Sequence, residues 1–261
     1  MLINSIRAEW TKLTSTKSFY WTSALIVVLS CGFSIIMGLA MKSAMESSKP
    51  EDLQDGGALL FSPVTAVQGF SGFGTMVIII MATLFVTTEY RFKTMNASIM
   101  VTPKRPIIVV SKAVVYGVVA AVLAFITSVG CVVSFKAFAG EHGKEVAVFS
   151  HEANRTHMAA IVQTLLVVIF AIGVAFLVRQ TAGAIAIMLL WTTVIEGLLM
   201  VIPKVGTRVK GYLPFANLDA WVRDTRASGA PWDETGSLLY FAAWALVLFV
   251  AGIVVFTKRD A

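Results

Sequence analysis

Six long apolar runs dominate the chain and limit its fold more than any other feature. Each run has the roughly 20 residues that an α-helix needs to cross the hydrocarbon core of a bilayer. The composition agrees, because 57% of the 261 residues are hydrophobic and 14% are charged, whereas soluble domains carry about 25% charged residues. The sequence predicts an all-α integral membrane protein with six transmembrane helices, at Tyr20–Met41, Gly69–Thr88, Val109–Val133, Met158–Val178, Ala182–Ile202 and Leu238–Thr257.

Lys and Arg indicate how these spans are oriented. Six spans place both termini on one side. The Lys and Arg counts of the two sides are nearly equal, but the loops on the termini's side are shorter, so their charge is denser, and most acidic residues lie in the longer loops. Because positive residues are retained inside, we expect both termini in the cytoplasm. The net charge of +6 fits cationic flanks facing anionic lipid and requires no nucleic acid.

The N-terminal flank, residues 1–19, has the pattern of an amphipathic helix. Its basic residues Arg7, Lys12 and Lys17 lie beside an apolar stripe at helical spacing, formed by Leu2, Ile3, Ile6, Trp10 and Leu13. This predicts an interfacial elbow helix that lies on the membrane and bends into the first span. The alternative is an ordinary positive flank that fixes topology.

The loop between the second and third spans, Thr87 to Pro106, carries more than topology requires. Residues Glu89 to Met100 are long enough for about three helical turns, and Pro103 stops the helix because it excludes Thr102 from the α region. One helical face is apolar, formed by Phe92, Met95 and Ile99. This face predicts docking onto a partner or onto the membrane surface.

The last outer loop, residues 203–237, contains the apolar segment Tyr212–Asp224, in which Leu218, Trp221 and Val222 keep helical spacing. A short helix that dips into the outer leaflet would hide this face. The alternative is an amphipathic helix on the outer surface.

Two ionisable residues lie within spans. Glu196 is about 10 Å below the outer surface at 1.5 Å per residue, where a charge is costly and marks a functional candidate. It would face a water-filled exit path, cap broken backbone near Pro203, or pair structurally with Lys204, Arg208 or a loop amide. Lys112 is long enough to reach the cytoplasmic headgroups.

Four other span positions are weak candidates for a substrate path: Gln68, Phe70, Phe73 and Gln163. The aromatic pair either lines a cavity or fills one. Gly69, Gly72 and Gly74 lie beside them and would let another helix approach closely.

Several kinds of chemistry are missing from the sequence. No G-x-x-x-x-G-K-[ST] motif occurs, so the chain is not itself an ATPase. No metalloprotease motif occurs, and His142, His151 and His157 all lie in or beside one outer loop, where surface histidines are expected rather than a metal site. We therefore predict no catalytic residue, no metal and no cofactor bound by this chain.

The sequence resembles the permease subunit of bacterial ABC-2 type exporters. The resemblance depends on three segments in order: the basic elbow Ile6–Trp21, the loop Glu89–Val115, and the Glu196-bearing fifth span followed by Gly211–Trp221. It covers almost the whole chain. It implies a six-span domain over residues 20–257 in the bacterial cytoplasmic membrane, with a cytoplasmic coupling helix within 89–106, short outer re-entrant helices and a cytoplasmic tail at 258–261.

The resemblance also implies partners. A second permease copy or paralogue would complete a dimer, and a P-loop ATPase subunit, binding ATP and Mg, would dock on each coupling helix. Glu89, Arg91 and Thr94 would face the ATPase groove together with Tyr90, Phe92 and Met95, while Pro103 and Arg105 close the helix. ATP would drive outward movement of a hydrophobic or amphipathic substrate such as a drug, antibiotic, peptide or lipid. Gly197, where relatives often have proline, departs from the family pattern.

Three other functions remain open. A proton-coupled secondary transporter would use Glu196, but no inverted repeat and no second buried acid accompany it. An intramembrane enzyme would need further catalytic groups within the spans. A non-transporting sensor of antibiotic stress would use the same fold.

Overall fold

The computed structural model describes residues 2–47, 61–102, 104–202 and 206–258. These residues are almost entirely helical and contain no β-strand. The α-helices longer than four residues are α1 (Leu2–Ser15), α2 (Lys17–Ser47), α3 (Pro63–Gly69), α4 (Thr75–Arg91), α5 (Met95–Val101), α6 (Arg105–Phe138), α7 (His151–Val178), α8 (Thr181–Leu190), α9 (Glu196–Val201), α10 (Pro214–Val222) and α11 (Glu234–Lys258).

Six helical stretches within these residues are long and apolar enough to cross a membrane, which is the architecture of a multi-pass membrane protein. Two of them contain π-helical turns, at Phe70–Gly74 and Trp191–Ile195. The helices extend past the predicted apolar runs. The third span covers Arg105–Phe138 and the fourth begins at His151, because backbone hydrogen bonding continues where the side chains become polar.

The chain divides into two compact units. The first contains Met1–Tyr20, Ile78–Ala120 and Gln163–Ala261. Within it, α7 and α11 pack backbone to backbone at Gly173, where an added Cβ would lie 2.7 Å from the carbonyl oxygen of Leu248. Small residues permit such close approach between membrane helices. At the same interface, Phe170 of α7 stacks on Phe241 of α11, with ring centroids 5.6 Å apart.

The second unit contains Trp21–Val77 and Ala121–Val162. A Cβ at Gly69 would meet the Ser30 carbonyl oxygen at 2.7 Å, and one at Gly74 would meet the Ser30 hydroxyl at 2.8 Å. The prediction of close helix approach is therefore confirmed for Gly69 and Gly74. It is wrong for Gly72, where a Cβ would meet open space.

The loop after the second span differs from the single three-turn helix expected for Glu89–Met100. Helix α4 continues to Arg91, the chain turns at Lys93 with φ 58°, and α5 starts at Met95. Such a left-handed residue ends a helix. The expected stop after α5 is confirmed at Thr102, whose φ of −126° and ψ of 88° lie outside the α region. Pro103 lies outside the described residues.

The N-terminal flank forms a separate helix, as its pattern predicts. Helix α1 ends at Ser15, and the Thr16 hydroxyl donates to the Leu13 carbonyl at 2.7 Å before α2 begins. The segment Pro214–Val222 before the sixth span is also helical, as the spacing of its apolar residues predicts.

Candidate functional site

Four charged side chains from three helices of the first unit form a cluster. Glu9 and Lys12 lie on α1, Glu89 near the end of α4, and Lys112 in the first turns of α6. The Lys112 ammonium donates to Glu9 Oε2 at 2.6 Å and to Glu89 Oε1 at 2.9 Å. The Lys12 ammonium donates to the same two carboxylates, at 2.7 Å and 2.8 Å. We call these four residues the charge cluster.

The charge cluster is neutral in sum and mostly buried. Lys112 is fully buried, and the side chains of Glu9 and Glu89 are 3% and 10% exposed. The Lys112 ammonium also lies 4.4 Å from the centroid of the Phe85 ring. Buried charges persist only when they are paired and hydrogen-bonded, so the cluster holds α1, α4 and α6 together at one place.

The charge cluster extends to the short helix α5. The Lys12 ammonium donates a third hydrogen bond, at 3.0 Å, to the hydroxyl of Ser98. Burial disfavours the ammonium form of Lys12, but the carboxylates of Glu9 and Glu89 outweigh this effect and raise the pKa of its side chain. Lys12 therefore stays charged at neutral pH, and its hydrogen bond to Ser98 attaches α5 to the charge cluster.

Part of this cluster differs from the prediction made from the sequence. Lys112 does not extend to headgroups, because its ammonium is enclosed by two carboxylates. Glu9 was not among the predicted site residues. In the sequence it stands out as the only acid in an otherwise basic flank. It lies on the helix face that carries the buried residues Ser5 and Leu13.

Glu89 also differs from expectation. We expected its side chain to face a partner's groove, but it is directed into the chain's own charge cluster. Tyr90 is half-buried, and its ring makes edge contacts with Phe176 and Phe256 and lies 5.3 Å from the Arg179 guanidinium. Both side chains therefore contribute to the base of the loop rather than to its surface.

The remaining loop residues divide between surface and interior. Arg91, Phe92 and Thr94 are exposed, as expected for contact residues, whereas Met95 is 2% exposed and packs inward. The expected apolar face of Phe92, Met95 and Ile99 is therefore not a single surface, because the turn at Lys93 separates Phe92 from α5.

Arg105 has a specific structural role. Its Nη1 donates to the carbonyl oxygens of Phe256 and Thr257, each at 3.2 Å. These carbonyls belong to the last turn of α11, where a cation complements the helix dipole and satisfies groups that lack intrahelical donors. Arg105 thus ties the return from the loop to the end of the last span.

The loop after the second span also carries exposed apolar and basic side chains on both sides of the turn at Lys93. Phe92, Met100 and Val101 are 66%, 84% and 83% exposed, and Arg91, which directly precedes Phe92 in the chain, is also exposed. We call these four residues the loop patch. Arg91 ends α4, Phe92 follows it, and Met100 and Val101 lie on α5. Glu89 of α4 and Ser98 of α5 both contact Lys12, so both parts of the loop are attached to the charge cluster.

Glu196 forms a separate polar centre in the first unit. Its carboxylate accepts the backbone N–H groups of Phe215 and Ala216 at 3.0 Å and 2.8 Å, and the indole N–H of Trp191 at 3.0 Å. Phe215 and Ala216 are in the first turn of α10, whose preceding residue Leu213 has no capping side chain. A carboxylate here satisfies two orphan donors and opposes the positive end of the helix.

This geometry selects among the expectations for Glu196. The pairing with loop amides is observed, and the carboxylate is 4% exposed. Lys204 and Pro203 lie outside the described residues. Glu196 therefore connects α10 to the fifth span.

The other span candidates are divided between the two units. Gln68, Phe70 and Phe73 belong to the second unit, and Gln163 belongs to the first. Phe70 is fully buried, so it fills space, while Phe73 is 45% exposed and packs against Phe33 with centroids 5.7 Å apart. Gln163 is 5% exposed.

The histidines also depart in part from expectation. His157 is buried in the second unit, where its Nδ1 pairs with the Ser128 hydroxyl at 2.9 Å and its Nε2 with the Val148 carbonyl at 3.1 Å. His151 is exposed as expected. Within the described ranges, no group of three His, Cys, Asp or Glu side chains is placed to hold a metal ion.

Comparison with known proteins gives no family assignment. No family model matches the chain, and no curated protein matches it.

Proposed function

We propose that this chain is the membrane-spanning subunit of an ATP-driven exporter, with a separate ATPase docked on the loop patch. The proposal places both termini in the cytoplasm and pairs the chain with a second permease copy or paralogue. ATP and Mg would bind to the partner ATPase. The proposal rests on the sequence resemblance and on the geometry of the loop between the second and third spans.

The observation that carries the proposal is an uncovered apolar surface on a fixed base. The three apolar side chains of the loop patch, Phe92, Met100 and Val101, are each at least 66% exposed. They lie beyond the apolar core of the second span, next to the exposed basic residues Arg91 and Lys93. Exposed aromatic and apolar groups beside Arg are typical of a protein-binding surface.

The charge cluster explains how movement of a docked partner would reach the spans. A partner can transmit force only through an element that does not yield locally. Helix α5 is tied to Lys12 through Ser98, and Lys12 is tied to the ends of α4 and α6 through Glu9 and Glu89. Displacement of the loop patch would therefore displace the second and third spans together with α1.

This arrangement changes the role expected for Glu89. In the sequence-based expectation, Glu89 contacts the ATPase directly. With its carboxylate bonded to Lys12 and Lys112, it acts instead as a positioning residue that holds α5 under the partner. Direct contact is assigned to Arg91, Phe92, Met100 and Val101.

The substrate class follows from the resemblance and from the apolar spans: a hydrophobic or amphipathic molecule such as a drug, antibiotic, peptide or lipid. Proton-coupled transport through Glu196 is less well supported, because its carboxylate already accepts three hydrogen bonds, two of them from the backbone of α10. A non-transporting sensor would share the docking surface and would differ by lacking substrate movement.

Two observations test the proposal: whether a neighbouring gene encodes a P-loop ATPase, and whether that ATPase associates with this chain. Phe92→Ala, Arg91→Glu and Met100→Ser should each weaken co-purification and reduce stimulated ATP turnover about tenfold, as expected for central interface residues. Phe149→Ala is the matched control, since Phe149 is 67% exposed and Phe92 is 66% exposed. Unchanged association and turnover in all three loop variants, or an absent ATPase partner, would refute the docking surface.

The same preparations distinguish a contact residue from a positioning residue. Glu89→Gln should lower both the melting temperature of the purified chain and its association with the ATPase. Arg91→Glu should lower association alone, because the Arg91 side chain is exposed. A sensor is distinguished from an exporter by ATP-dependent substrate uptake into inverted vesicles, which only the exporter gives.

A further inference from the structure

An apolar cavity of about 390 Å³ lies in the first unit between α7, the fifth span, α11 and the segment 209–214. Its walls include Phe170, Met188, Leu213, Pro214 and Trp244. Two wall residues offer no free N–H donor, since Pro214 has no N–H and the Trp191 indole N–H already donates to Glu196. The walls therefore suit a hydrocarbon rather than a polar ligand.

The cavity opens on the outside of the spans. Ile187, Trp191 and Trp244 line it and are 50%, 38% and 41% exposed. These residues lie on the fifth and sixth spans, so the medium at the opening is the acyl chains of the bilayer. A void without partner atoms forfeits dispersion contacts along its walls, and an acyl chain at the opening can restore them.

Two cationic residues flank the wall residue Val209 in the chain. Val209 contributes to the wall, and its chain neighbours are Arg208, which is exposed, and Lys210, which is half-buried with its aliphatic stem against Gly229. Tyr212, another wall residue, is 50% exposed. Aromatic rings beside Lys and Arg are characteristic of the level of lipid headgroups.

We propose that this cavity binds one acyl chain of an anionic membrane phospholipid, with the headgroup held by Arg208 and Lys210. The bound chain would touch Trp191 and Pro214, which adjoin the Glu196 carboxylate and the start of α10. Occupancy would therefore stabilise the attachment of α10 to the fifth span, because a ligand that binds only the assembled form stabilises that form. This inference does not depend on the ATPase or on export.

The test uses the purified full chain in detergent, without an ATPase, and a phosphatidylglycerol carrying a photoactivatable acyl chain. Crosslinked peptides should include residues of the cavity wall within 187–191 or 209–214. Unlabelled phosphatidylglycerol should compete better than phosphatidylcholine, by about fivefold for each cation that contacts the headgroup. Crosslinks that avoid both segments would overturn the site, and equal competition would overturn the headgroup assignment.

Two variants with a matched control sharpen the test. Met188→Trp puts a larger side chain at a wall residue that is 1% exposed and should reduce crosslinking at least fivefold. Leu190→Trp makes a comparable change at a residue that is 52% exposed and outside the wall, and should leave crosslinking unchanged. Equal crosslinking in both variants would refute binding inside the cavity. Arg208→Gln with Lys210→Gln keeps the wall and should remove the preference for phosphatidylglycerol; a retained preference would refute their role.

Discussion

Replacing Lys112 by Met removes the most enclosed charge of the cluster while preserving most of its aliphatic volume. In the native chain the Lys112 ammonium bonds to Glu9 Oε2 at 2.6 Å and Glu89 Oε1 at 2.9 Å, and contacts the Phe85 carbonyl at 3.4 Å. The substitution leaves two buried carboxylates with one cation, Lys12, whose side chain is 40% exposed. The cluster changes from neutral to a net charge of −1.

The magnitude follows from the cost of leaving a buried charge unpaired. Removing one partner of a buried ion pair destabilises a protein by about 3–5 kcal/mol. For a chain of this size, each kcal/mol lowers the melting temperature by about 2–4 °C. Lys112→Met should therefore lower the melting temperature of the purified protein by about 10 °C. Lys144→Met is the matched control, because the Lys144 and Glu141 side chains are 69% and 84% exposed, and such pairs contribute less than about 1 kcal/mol.

Thermal unfolding of the purified protein in one detergent gives both melting temperatures. The double variant Lys112→Met with Glu89→Gln isolates the electrostatic contribution, because it leaves Glu9 paired with Lys12 and restores neutrality. It should recover at least half of the lost melting temperature. If Lys112→Met lowers the melting temperature no more than Lys144→Met does, the buried cluster does not stabilise the fold. If the double variant melts lower still, lost packing and not unpaired charge explains the single variant.

Three further predictions concern contacts elsewhere in the first unit, each measured on the purified chain. Glu196→Gln should destabilise the chain by about 1–3 kcal/mol and lower its melting temperature, because the amide turns an N–H group toward a backbone donor of α10. The control Glu152→Gln changes an exposed glutamate in the first turn of α7 and should have little effect. An equal fall in melting temperature for both variants would contradict the capping role of Glu196. Gly173→Ala should destabilise the chain by about 1–3 kcal/mol, because the added methyl group overpacks against α11. Gly197→Ala adds a methyl group in open space and should be neutral or stabilising. If Gly197→Ala lowers stability more than Gly173→Ala, the close approach of α7 and α11 is refuted. Arg105→Gln should speed hydrogen exchange of the last turn of α11, and unchanged exchange would show that these carbonyls need no cation.

Loop residues illustrate how far the sequence could predict the candidate site. Proline chemistry correctly placed Thr102 outside the α region, since the restriction is local. The single helix predicted for Glu89–Met100 failed at Lys93, a residue with no strong preference for the left-handed conformation it adopts. Helix periodicity could not detect this break, and so it placed Phe92 and Met95 on one face.

The sequence by itself determined the elements: six apolar helices, a separate N-terminal helix, and helices in the loop after the second span and in the segment before the sixth span. Hydrophobic length and local backbone chemistry specify these features, because each depends on neighbours within a few turns of the chain. Glu196 was also marked by sequence alone, since an acid within an apolar run is costly wherever it points.

Only the tertiary structure decided which charges meet. Lys112 and Glu9 are separated by 103 positions in the chain, and no local pattern distinguishes a lysine that reaches headgroups from one enclosed by carboxylates. The same holds for Glu196, whose partners lie 19 and 20 positions away in the backbone of α10. Ion pairs and tertiary caps depend on how helices are placed against each other, and local sequence patterns do not specify this placement.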